Sequence, residues 1–439
     1  MIITPISYPS DEGDARINAL CSRRFDIKED IEYAVKEILK DVMVYGDDAL
    51  VRYTRMFDAP DFSREDLKVT SEEMEDARSR VDENFLASLG KAIKNIEEFH
   101  RHELPNSWMM TRENGVVLGQ MVRPVDAAGL YVPGGKGGLT PLVSSVLMNA
   151  IPAKIAGVKR IVLATPPNDK KEIDPHILAA ASLCGINEIY KAGSAWAIGA
   201  MAYGTESIAP VDVVAGPGNI YVAAAKRFVS GLVGIDMIAG PSEVVIIADK
   251  GADKGYVAAD LLSQAEHDPM ATAVLITTDA GLGKDVAVEV ERLAAGLERK
   301  ETAISALRDN GLILAVNSLD AAVSLANRIS PEHLELMVRD PWEVFPHIRH
   351  AGAIFLGDYT PEPVGDYIAG PNHVLPTMGT ARFSSALGVE TFLKRSSIIS
   401  YTKKGFADDA RDIIALAEKE GLTAHARSIE TRLNSITPD

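Results

Sequence analysis

From Ala127 onward the chain alternates short β-branched runs with helical patterns, and this alternation limits the possible fold more than any other feature. The runs are Gly129–Val132, Arg160–Ala164, Glu188–Ala192, Val211–Ala215, Val244–Ala248, Ala273–Thr277, Leu312–Val316, His333–Val338 and Ala353–Leu356. Candidate helices such as Asp174–Cys184, Ala195–Tyr203 and Asn219–Val229 lie between them. Strands joined through helices pair in parallel, because the crossover returns the chain to the same end of the sheet. One small sheet cannot hold so many strands. The pattern predicts an α/β fold of two incomplete doubly wound, Rossmann-like domains with a helical N-terminal segment and a helical C-terminal tail. Ile27, Ile31, Val35, Ile38, Leu39 and Val42 recur at helical spacing up to Gly46. Thr70 and Glu73 have capping-box spacing before a helical stretch towards His100, whereas Pro105 to Gly119 reads as polar and turn-rich. Gly421 separates two last helical runs, Ala407–Glu420 and Leu422–Leu433. The expected division is an N-terminal arm over 1–26 and a first α/β domain over 27–130 plus 243–387. A second α/β domain over 131–242 is inserted into it, and a tail over 388–439 contacts a partner subunit.

Charge and cysteine usage narrow the function. Lys plus Arg number 45 against 62 Asp plus Glu, so the net charge is −17. Such a surface repels phosphate backbones and argues against nucleic acid as a partner. Cys21 and Cys184 cannot alone build a disulfide framework or a thiolate zinc site, and they fit a reducing cytosol. The segment Met1 to Phe25 carries Asp11, Glu12 and Asp14 and no apolar centre, unlike a signal peptide. No run of about 18 apolar residues suggests a membrane span. The expectation is a soluble, cytoplasmic protein.

Several local patterns could carry chemistry. Tyr131-Val-Pro-Gly-Gly-Lys-Gly-Gly138 follows a strand and precedes a helix, where glycines let backbone N–H groups approach a ligand. Its spacing matches neither the dinucleotide fingerprint nor a phosphate-binding P-loop, so a structural turn fits equally well. Gly216-Pro-Gly-Asn219 repeats the arrangement, with Asn219 also readable as a helix N-cap. Gln264 and His267 lie one turn apart on the candidate helix Ala258–His267, where a lone histidine reads first as a cap or core residue. His425, among Leu422, Ile429 and Leu433, reads as a packed core histidine. Asp366 and His373 fall in a Gly/Pro-rich loop after a strand, where functional groups concentrate. Glu332-His333 follows Pro331 and opens a strand. Together they offer two groups able to carry protons near neutral pH, or simply a solvated charged pair.

In combination these motifs resemble the histidinol dehydrogenase family, from about Phe25 to the C-terminus. The resemblance rests on Gly129-Leu-Tyr-Val-Pro-Gly-Gly135, Gly216-Pro-Gly-Asn219, Ala239-Gly-Pro-Ser-Glu243 and Asp260-Leu-Leu-Ser-Gln-Ala-Glu-His267. It continues through Pro331-Glu-His-Leu334, Gly365-Asp-Tyr367, Asn372-His-Val-Leu-Pro-Thr377 and Leu422-Thr-Ala-His425. It implies oxidation of L-histidinol through L-histidinal to L-histidine with reduction of two NAD, by a zinc-dependent homodimer with shared active sites. It implies zinc ligands at Gln264, His267, Asp366 and His425 of the partner subunit, with Glu332 and His333 as the acid–base pair. Ser242, His373 and Glu420 match substrate contacts, to which the zinc ligands and His333 also belong. Tyr131 and Asn219 match cofactor contacts. Trp196 stands where the family has a glutamine on the cofactor, so a polar contact is exchanged for a large ring. The alternative is a related zinc- and NAD-dependent alcohol dehydrogenase acting on another polyol, such as a sulfonated propanediol; the acidic Glu420 suits the cationic histidinol better than a sulfonate.

Overall fold

The computed structural model describes residues 2–23, 27–134 and 141–436. The chain divides into two units, Met1–Glu103 with Val125–Phe392, and Leu104–Pro124 with Leu393–Asp439.

The larger unit holds two all-parallel sheets. The first has six strands in the order β1 (Pro5–Ser7), β11 (Leu312–Ala315), β10 (Thr272–Thr277), β9 (Glu243–Ala248), β12 (His333–Met337) and β13 (Ala353–Leu356). The second has five, ordered β6 (Glu188–Lys191), β5 (Arg160–Thr165), β4 (Ala127–Tyr131), β7 (Val213–Ala215) and β8 (Gly234–Ile235). Strands covered by helices on both faces must be apolar throughout, and β4, β9, β10 and β12 are buried along their whole length. The runs read from sequence all become strands, with ends displaced by at most two residues. In each sheet the winding reverses once, between β9 and β12 in the first and between β4 and β7 in the second.

The core beneath the second sheet also takes the apolar faces of the helices Glu29–Tyr45 and Asp47–Phe57. Trp196 belongs to this core, with Tyr53 stacked at 5.8 Å and Phe57 at 5.6 Å between ring centroids. The helical stretch after Thr70 is two helices, Ser71–Arg80 and Glu83–Arg101. Val81 between them is extended, and Asp82 starts the second helix by accepting the Phe85 N–H at 2.9 Å.

The smaller unit differs from the expectation of turns and helices alone. Its strands β2 (Trp108–Thr111), β3 (Val117–Pro124) and β14 (Leu393–Ser400) form an antiparallel sheet in the order β14-β3-β2. β2 is exposed throughout and β14 nearly so, which removes the apolar pattern that reveals a buried strand. The helices Lys403–Lys419 and Thr423–Ile436 complete the unit. Among the described residues no helix is long and apolar enough to cross a membrane.

Candidate active site

The amino ends of β9, β12 and β13 meet where the reactive side chains gather. The helix Leu319–Ile329 ends at Ser330, whose φ of 55° is left-handed for a non-glycine residue and whose hydroxyl donates to the Asn327 carbonyl at 2.8 Å. Pro331 follows, and this turn delivers Glu332 and His333 to the start of β12. The Glu332 carbonyl accepts the Ala353 N–H at 2.9 Å, and a Cβ at Gly352 would lie only 2.6 Å from that oxygen. Glycine is therefore required at 352.

Both members of the pair are held by one residue of the neighbouring strand. The Glu243 N–H donates to Glu332 Oε2 at 2.9 Å, and the Glu243 carbonyl lies 3.0 Å from His333 Nδ1. A carbonyl only accepts, so Nδ1 carries the ring proton and Nε2 keeps its lone pair. Gln264 Oε1, 3.2 Å from the same Nδ1, supports that assignment. His333 Nε2 has no partner.

Electrostatics follow from burial. Loss of water holds the Glu332 carboxyl well above the usual range, and the Glu243, Glu362 and Asp366 carboxylates add to the effect. Burial pushes Glu362 up to about 8 and Asp366 up to about 7, and it lowers His333. A carboxyl of raised basicity thus stands beside a neutral imidazole. Potential ligand atoms of His333, Glu362 and Asp366 lie within 4.8 Å of one another. Asp366 sits on a π turn, Gly365–Ala369, rather than in an irregular loop. Glu362, which sequence reasoning missed, has its N–H bound to Glu335 Oε1 at 2.9 Å. Glu335 in turn bonds Asp260, and burial raises both acids, Asp260 to about 6. The side-chain atoms Gln264 Nε2, Glu362 Oε2 and His333 Nε2 are buried without partners. The unpaired Glu362 oxygen and His333 nitrogen among buried acids are donor types that fit a divalent cation such as zinc, whereas the Gln264 Nε2 amide is a hydrogen donor and not a ligand atom.

A cavity of about 220 Å³ opens onto this cluster, lined by Ser242, His267, Glu332, His333, Asp366 and His373 together with Pro217 and Gly218. The helix carrying Gln264 ends at Ala265, so His267 lies beyond it and is exposed. His373 Nε2 is 3.1 Å from Ser144 Oγ, and burial pushes it down to about 4. It is therefore a neutral hydrogen-bonding group. Glu420 caps the helix Lys403–Lys419, and His425 is exposed on the next helix; both belong to the smaller unit.

The second sheet contributes loops from its carboxyl ends, beside the reversal between β4 and β7, where doubly wound sheets bind ligands. Gly216, at φ 117°, donates its N–H to Asp236 at 2.8 Å and accepts from Lys226 at 3.0 Å. Lys226 and Asp236 form a buried ion pair, so both backbone polar groups of Gly216 are fixed. Asn219 is a helix cap, accepting from Tyr221 and Val222 at 3.0 and 3.1 Å. The Tyr131 hydroxyl accepts the Ser194 N–H at 3.0 Å. Trp196 is 4% exposed and its Nε1–H has no partner. Gly135, Lys136, Gly137 and Gly138 of the glycine-rich loop lie outside the described residues. In the first sheet, by contrast, the site occupies the amino edge.

Comparison with known proteins matches residues 21–433 to the family model of histidinol dehydrogenase. The histidinol dehydrogenase of Desulfotalea psychrophila is 56% identical over 434 residues, covering 99% of this chain and 100% of that one. That of Nitratidesulfovibrio vulgaris is 55% identical over 410 residues, covering 93% and 94%. The crystal structure of histidinol dehydrogenase from Elizabethkingia anophelis superposes with a TM-score of 0.92 at 38% identity, covering 99% of each chain.

Proposed function

The chain belongs to the histidinol dehydrogenase family, and from that premise we propose that it oxidises L-histidinol through L-histidinal to L-histidine, reducing two NAD in the last steps of histidine biosynthesis. The observation that carries this reading is the buried Glu332–His333 pair, with Nδ1 pinned by Glu243 and Nε2 without a partner at the cavity. His333 Nε2 accepts the alcohol proton as hydride leaves the carbon for NAD. The imidazolium so formed is stabilised through Nδ1–H by the Glu243 carbonyl and by the charge of Asp366. The aldehyde is held in the cavity, away from solvent. Glu332, whose proton affinity burial raises, takes a proton from the water that adds to it. Oxidation of the hydrate delivers a second hydride to NAD, and His333 again takes the hydroxyl proton.

The proposed zinc ligands are Gln264, His267, Asp366 and His425 of the partner subunit. His333 stays outside this set because its Nε2 lone pair is needed as the base, while Glu362, pushed up to about 8 by burial, stands beside it as a largely protonated carboxyl. When bound, the cation supplies a Lewis-acidic anchor that can chelate the amino and imidazole nitrogens of the substrate. Ser242, His373 and Glu420 are proposed to contact the substrate, and Tyr131, Trp196 and Asn219 the cofactor. The active unit is proposed to be a homodimer working in the cytoplasm, where Cys21 and Cys184, both free thiols, stay reduced. The sulfonated-propanediol alternative is not favoured by the relatives named above.

Counting NADH formed per histidinol consumed tests the reading. Two are expected, falling to none after treatment with a chelator and returning with added zinc; a stoichiometry of one overturns it.

A further inference from the structure

The steps above use only the backbone of the last residue in Ala239-Gly-Pro-Ser-Glu243 and leave its side chain without a role, yet Glu243 is 2% exposed and sits at the first position of β9. Its backbone holds both reacting side chains, through the N–H to Glu332 at 2.9 Å and the carbonyl to His333 at 3.0 Å. Its side chain is tied in the opposite direction. Glu243 Oε1 pairs with the Arg23 guanidinium at 2.9 Å, and Arg23 also donates to the Thr272 hydroxyl. Thr272 is the register partner of Glu243 across β10 and β9, and its N–H donates to the Ser242 carbonyl at 3.0 Å. Arg23 thus joins two strand ends at the point where the peptide of Glu243 grips the pair.

We propose that Arg23 and Glu243 form a positioning clamp: their ion pair sets the Glu243 peptide so that Glu332 is oriented by its N–H and His333 is locked as the Nδ1–H tautomer by its carbonyl. The clamp rests on the acid–base reading of Glu332 and His333. Glu243 touches no reacting atom and acts only through those two residues. Proton transfer is steep in geometry, so a small drift of the Glu243 peptide lowers the rate of the chemical steps. Substrate binding depends on other side chains and is spared. The surrounding strands keep their pairing in either case.

The test uses the zinc-loaded enzyme with Arg23→Met, Arg23→Lys and Glu243→Gln. Arg23→Met and Glu243→Gln are expected to lower kcat about tenfold or more, with KM for histidinol and zinc content unchanged. Arg23→Lys keeps the charge and is expected to restore most of the rate. In protein labelled with 15N-histidine, His333 should show a fixed Nδ1–H tautomer in the parent and averaging ring-nitrogen shifts in Arg23→Met. Parental kcat and a fixed tautomer in Arg23→Met overturn the clamp, whether or not Glu243→Gln folds. Loss of stability without a change in kcat does the same. Glu332→Gln and His333→Asn, assayed alongside, separate the two readings. Parental rates in those variants overturn the acid–base assignment, whereas crippled rates there with parental Arg23→Met overturn the clamp alone.

Discussion

Asp58 offers a test in which the structure fixes both sign and size. Its Oδ2 is buried without a hydrogen-bond partner beside the second sheet, and loss of water pushes the carboxyl from 3.8 up to about 7. A carboxyl raised in the fold favours the protonated form there. Its contribution to stability is full below the unfolded value near 4 and is lost as pH rises through about 7. A rise of roughly three pH units at about 1.4 kcal/mol each sets a ceiling of about 4 kcal/mol. Asp58 keeps part of its surface in water, so a loss of about 2 kcal/mol between pH 5 and pH 8 is the working figure. Asp58→Asn preserves shape and removes the titration. The zinc-loaded protein without NAD should be unfolded with denaturant at several pH values, parent and variant side by side. Other buried acids contribute equally to both, so the difference isolates Asp58. The variant is expected to gain on the parent from pH 5 up to about pH 7 and to hold that gain above it. Parallel stability profiles from pH 5 to pH 8 refute the reasoning.

Two further outcomes are expected. Glu332→Gln and His333→Asn should each lower kcat by about 10² to 10⁴ while leaving bound zinc unchanged by metal analysis, and near-parental rates in both contradict the assigned roles. Trp196→Gln should alter KM for NAD and also lower the thermal midpoint by loss of the stack with Tyr53 and Phe57; an unchanged KM removes Trp196 from the cofactor contacts.

How much of this was legible depended on what surrounds each residue. Parallel strands buried on both faces must be apolar along their length, so β9, β10 and β12 announce themselves. β14, written Leu-Lys-Arg-Ser-Ser-Ile-Ile-Ser and largely exposed, has no such pattern and hides among polar residues. β1 is three residues long, and β8 two, too short for any periodicity to appear. Glu332 and His333 stood out because an acid and an imidazole adjoin at a strand start. Glu362, Glu335 and Asp260 did not, because an acid on a chain of net charge −17 reads as surface until burial is known. Asp82 is a signal that was available locally and missed, an N-cap residue interrupting the helical pattern before Glu83, as Thr402 and Asp253 are for helices that start earlier than they were read.

The proposed acid–base pair occupies the amino edge of the six-stranded sheet, away from the carboxyl ends of its strands. β9 runs six residues from Glu243 to Ala248, so the connections beyond it lie roughly 17 Å from the proton-carrying pair at about 3.3 Å per residue. Short links such as Thr278–Asp279 and Val338–Asp340 join strand to helix there. A fluorophore or affinity handle placed there, on a residue other than the helix caps Asp279 and Asp340, stays clear of the cavity.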